Sequence, residues 1–156
     1  MSAPETWAVM AFRADGVWQV EELPPAVTED LGDVVAAVMG QQPGAIALVD
    51  IADEFFVAVR YVGGQELLLL SDVTAALEWD LADQVLERLD IEPPGEDDTE
   101  VWPAGDLGVF DDLGLDAMEL GAILSDVDAY ADEMLSVLAR RLGFADAFER
   151  ALDALV

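Results

Sequence analysis

The sequence holds no cysteine, no histidine and no lysine. Without cysteine there are no disulfide staples and no thiolate metal ligands, and nothing points to an oxidising compartment. Without histidine the commonest general base and the usual imidazole ligand of zinc are missing. Without lysine there is neither a P-loop lysine nor Schiff-base chemistry at a lysine side chain. What remains for chemistry is carboxylates, hydroxyls and arginine, so a non-catalytic protein with no catalytic residues, metal or cofactor is expected. Long apolar runs are missing as well. Hydrophobic residues make up 54% of the chain, yet no run approaches the roughly 20 residues of a membrane span. The first residues, MSAPETWAVM, have no basic n-region and no apolar h-region before a cleavage site. A soluble, cytoplasmic protein without membrane contact is the expectation.

Positive charge is scarce. Six arginines face 34 acids, for a formal net charge of −28. Nucleic-acid binding relies on cations that neutralise phosphates and release counterions, and six dispersed arginines cannot form that stripe, so direct nucleic-acid binding is not expected. Such a charge serves solubility first. Its sharper consequence is attraction to a basic protein partner. Residues 1–60 carry ten acids and two arginines, residues 61–156 carry 24 and four, and between Glu78 and Glu133 stand 19 acids and one arginine, Arg88. A basic partner is expected to dock on that region.

What is present is organised around Ala45 to Leu70, AIALVDIADEFFVAVRYVGGQELLLL. Ala45 to Ile51 is almost continuously apolar, as in a strand covered on both faces. Phe55 to Tyr61 and Leu67 to Leu70 supply two more strands. Asp53 marks the first turn and Gly63-Gly64 the second, so consecutive antiparallel pairing is expected. Upstream, Trp7 to Arg13 and Val17 to Val20 form a hairpin through Asp15-Gly16, closed by Pro24 and Pro25. Thr28 then offers an N-cap to a helix with an apolar stripe of Leu31, Val34, Val35 and Val38 that stops by Gly40. After the central strands, Ser71 or Asp72 caps a helix containing Val73, Leu77, Leu81, Val85 and Leu89, with a restart at Asp80 and a bend near Trp79. Ala104 to Gly114 and Leu115 to Ser125 read as short helices. Ala131 to Leu142 is a clearer one, ended by Gly143, and Phe144, Phe148, Leu152 and Leu155 stripe the last.

The fold class is therefore α+β, with a five-stranded antiparallel sheet in ββαβββα order followed by a helical C-terminal region. The organisation reads as a sheet domain at 1–90, an acidic, proline-containing connection at 91–103 and helices at 104–156, packed on the sheet. The same element order is that of profilin-like and roadblock-like modules, which commonly mediate interactions, although layout alone does not establish function.

The connection IEPPGEDDTEVWP holds the partner-binding candidates: Glu96, Asp97, Asp98, Glu100 and Trp102, with Asp106 just beyond. Aromatic residues dominate interface hot spots, which suits Trp102 as an anchor. The area an indole buries favours the plainer alternative, in which Trp102 tucks back onto the sheet domain. Trp79, between Leu77 and Leu81, is expected to be core or semi-core. Asp50 with Asp53 or Glu54, and Asp126 with Asp128, are carboxylate pairs of the type that ligate Mg²⁺ or Ca²⁺. The run from Asp126, however, has Ala131 and Val137 where a calcium loop needs glycine and an acid.

ALVDIADEFFVAVR at 47–60, LLLLSDVTAALEWDLADQVL at 67–86, VWPAGDLGVFDDLGL at 101–115 and the later MLSVLARRLGF resemble the actinobacterial family of tRNA adenosine deaminase-associated proteins over most of the chain. The resemblance implies an association with a tRNA adenosine deaminase and carries over no functional residues. A zinc deaminase needs H-x-E and P-C-x-x-C segments, which a chain without histidine or cysteine cannot supply. The expectation is an accessory protein whose acidic 78–133 region faces a basic surface, on the deaminase or another protein. Two alternatives stay open: a nucleic-acid mimic that blocks an RNA-binding face, and a carboxylate-dependent divalent-metal hydrolase. Homodimerisation through an exposed edge strand is a further option.

Overall fold

A computed structural model of the chain describes residues 6–41, 44–95, 102–126 and 128–155. Three hairpins and two longer connections build the sheet. β1 (Trp7–Ala14) and β2 (Val17–Glu22) are joined by Asp15-Gly16, both at positive φ, which matches the twist of a two-residue hairpin. The chain then crosses one face through a 3-10 turn at Pro25–Glu29 and helix α1 (Leu31–Met39), and returns as β3 (Ile46–Ile51) on the other side of β1. β4 (Phe55–Val62) and β5 (Gln65–Leu70) follow by consecutive antiparallel pairing, as the turn residues predict. Gly63 and Gly64 are both at positive φ in the β4–β5 turn.

The sheet has six strands, not five. Ala104–Gly105, expected within a short helix, forms β6 and pairs antiparallel with Leu69 and Leu70, giving the order β2-β1-β3-β4-β5-β6. Gly105 makes this possible. It sits at φ +105°, and a Cβ there would lie 2.1 Å from the Leu68 carbonyl oxygen, so only glycine lets the backbones meet.

Both faces of the sheet are covered, which is why its central strands lack polar alternation. On one face α1 and α2 (Asp80–Leu89) bury Val34, Val35, Val38, Leu81, Val85 and Leu86 against Met10, Val49, Val57 and Leu70. On the other, α3 (Ala117–Leu124), α4 (Ala131–Leu142) and α5 (Ala145–Ala154) bury Leu120, Leu135, Leu138 and Phe148 against Trp7, Val9, Leu48 and Phe56.

The helix starts depart from expectation at α1, and the short helix expected over Ala104 to Gly114 reduces to a 3-10 turn at Asp111–Leu113. Thr28 lies inside the 3-10 turn and donates its hydroxyl to the Pro25 carbonyl; Asp30 caps α1 instead, accepting from the Gly32 N–H. A short carboxylate two residues from that amide fits the cap better than a hydroxyl already engaged locally. Asp72 caps a 3-10 turn at Val73–Leu77, and α2 starts afresh at Asp80 after Trp79, as the sequence suggests.

Candidate partner-binding surface

Trp102 enters the described chain next to β6. Its carbonyl accepts the Val73 N–H at 3.0 Å, tying the backbone to the start of the 3-10 turn. The backbone is thus held, but the residue is 41% exposed. The expected burial of this side chain is incomplete, and part of the apolar residue is open to water. Asp106, in contrast, is spent on the fold. Its N–H donates to the Leu68 carbonyl at 2.8 Å and its Oδ2 accepts the Leu68 N–H at 3.3 Å, prolonging the β5 edge beyond Gly105. Glu96, Asp97, Asp98 and Glu100 lie outside the described residues.

The acids of residues 78–133 do not share one layer. α2 carries its share on one side of the sheet, whereas α3 and the start of α4 carry theirs on the other. Several have structural work. Asp116 caps α3 through the Glu119 N–H, Glu119 pairs with Arg141, and Asp126 accepts the Asp128 N–H. Helix N-termini favour carboxylates, so part of the acid excess is a consequence of helix starts. Trp79 is half-buried against Phe55, with centroids 6.4 Å apart, and its Nε1 donates to Glu54 at 2.9 Å.

Two polar groups inside the molecule escape sequence reasoning. Arg60, on β4, is fully buried, and its guanidinium donates to Asp112 through both terminal nitrogens at 2.6 and 3.1 Å, and to the carbonyls of Val109 and Gly44. This fork fastens the segment after β6 to the sheet. The hydrogen bonds from Arg60 hold the Asp112 carboxyl below the usual carboxylate range. The only hint in the sequence is one arginine in an otherwise apolar strand.

Asp50, on β3, is 1% exposed. Its Oδ1 accepts the Asp53 N–H, and Oδ2 has no partner. Burial first, and then the charges of Asp53 and Asp132, push its pKa up to about 8, so the carboxyl is protonated at neutral pH. Asp53, at positive φ in the β3–β4 turn, accepts the Asp132 N–H at 2.9 Å and so receives the first turn of α4. Burial and the neighbouring Asp53 also raise the Asp132 carboxyl. Of the carboxylates weighed as metal ligands, Asp50, Asp53 and Asp126 each accept a backbone N–H. Among the described residues no group of three or more acids is arranged to hold a metal ion.

These features describe a folded support with an exposed tryptophan and a strongly anionic surface, and the comparison with known proteins agrees with the sequence resemblance. The family model for Rv3753c-like tRNA adenosine deaminase-associated proteins matches residues 6–145. The chain belongs to that family. Protein Rv3753c of Mycobacterium tuberculosis (strain ATCC 25618 / H37Rv) is 39% identical, with 97% of this chain and 90% of the relative covered. No solved structure matches the chain, so the likeness to profilin-like and roadblock-like modules remains one of element order. The family description names an association with a deaminase, not a deaminase activity. No helix among the described residues is long and apolar enough to cross a membrane.

Proposed function

We propose that the protein is a non-catalytic accessory protein that binds a basic surface of a tRNA adenosine deaminase. Membership of a family named for association with that enzyme carries the reading. The absence of histidine, cysteine and lysine fits an accessory role, because the deaminase chemistry needs ligands that this chain lacks. The net charge of −28 would speed encounter with a cationic face and disfavour anionic competitors. Trp102, with its backbone fixed and the residue partly open to water, is the anchor expected to supply much of the holding energy. Glu96, Asp97, Asp98 and Glu100 precede it in sequence and are assigned to the same docking segment on their charge alone. Asp106 acts behind them by holding β6 in place.

Affinity co-purification of the tagged protein from its native host, washed in parallel at low and high salt, tests this. The deaminase should be retained at low salt and shed at high salt, and Trp102→Ala should reduce retention at low salt roughly tenfold or more. Recovery of the bait alone at both salts would overturn the reading.

A further inference from the structure

Against the anionic whole, three of the six arginines gather at one end of the molecule. A groove of about 470 Å³ opens between the β1–β2 turn and the junction of α4 with α5, lined by Val17, Trp18, Arg140, Phe144, Asp146 and Arg150 among others. Arg13 stands beside it, its guanidinium 4.8 Å from the centre of the Trp18 ring. The side chains of Arg140 and Arg150 make no ion pair or hydrogen bond with any described residue, whereas Arg60, Arg88 and Arg141 are each paired with an acid. Two guanidiniums without an acid partner among the described residues stand out in a chain with 34 carboxylates.

The groove wall is rigid. Trp18 packs on Phe144 at 5.0 Å between ring centres, Phe144 on Phe148 at 6.3 Å, and Phe148 on Trp7 at 5.7 Å, so the arginine-bearing helix junction is locked to the hairpin. Val17, 63% exposed, adds an apolar rim. We propose that this groove binds a small phosphate monoester with an apolar body. Arg140 and Arg150 outnumber Asp146 in the lining, and Arg13, outside the lining and over the Trp18 ring, adds to the positive potential that a phosphate would meet. Guanidinium forks suit several phosphate oxygens at once. The volume exceeds that of a bare phosphate, and the Val17 and Trp18 wall receives the remainder of the ligand. A polyanion is disfavoured by the acid-rich surface beyond the groove. This proposal does not rest on deaminase binding.

Titration of the full-length protein with phenyl phosphate at constant ionic strength, followed by amide and indole NMR shifts, tests it. Saturable shifts are expected at Gly16 to Trp18 and at Gly143 to Arg150, with inorganic phosphate and benzoate each binding at least about tenfold more weakly. Arg140→Gln and Arg150→Gln alter exposed side chains and should each weaken phenyl phosphate about tenfold or more while leaving the rest of the spectrum in place. Non-saturating shifts, equal binding of benzoate, or unchanged binding in the variants would overturn the proposal. Concentration-dependent sedimentation abolished by Arg150→Gln would also overturn it, assigning the groove to an acidic segment of a second copy.

Discussion

Asp50 shows how one buried residue contributes to the response of the molecule to pH. Below its ordinary value of 3.8, folded and unfolded chains both hold the proton. Between 3.8 and about 8 only the folded chain holds it, so each pH unit in that window removes about 1.4 kcal/mol of stability. Above about 8 both forms are ionised and the loss levels off, its size tempered by local relaxation around Oδ2. Asp50→Asn cannot ionise and keeps the shape. Its stability advantage over the parent should therefore grow from pH 4 to pH 8 and then stay flat, as read by chemical unfolding at a series of pH values. A constant difference across that range would mean that Asp50 is already ionised in the fold. Arg60 is the opposite solution to a buried charge, since it brings its own carboxylate and two carbonyls. Neither role is visible in the sequence, because an acid in a strand end and an arginine in a strand middle look the same whether they face water or core.

At the scale of elements, legibility followed periodicity and turn chemistry. The stripe of α1, the strands β3 to β5 and the bounds of α4 could be read because apolar spacing and glycine turns repeat over many residues. β6 could not, since two residues are too few to show an alternation. It is nonetheless the element that carries Trp102 and Asp106 to the edge of the sheet. Gly105→Ala should break it. The added methyl would collide with the Leu68 carbonyl and strain a positive φ, costing more than about 1 kcal/mol. Faster amide exchange at Leu68 and Asp106 should accompany the loss, and unchanged protection there would show that β6 pairs without needing glycine. The posture of Trp102 was not legible in the sequence, because the area an indole buries favours covering it, whereas the residue is 41% exposed in the fold.

For the whole molecule the governing quantity is charge. Its acids are spread over both helical layers, and part of them cap helices or pair with arginine, but the sum remains −28. The edges of the sheet are poor templates for pairing with a second copy, since β2 ends in Glu21 and Glu22 and β6 is two residues long. On the proposed function, this charge would give a soft, long-range attraction to a basic partner, made specific by a few apolar contacts. The most direct test is a binding titration between the purified protein and the purified tRNA adenosine deaminase from the same genome, repeated across a range of salt. The account predicts a saturable complex whose affinity falls steadily as salt rises. No complex at low salt, or an affinity indifferent to salt, would contradict it.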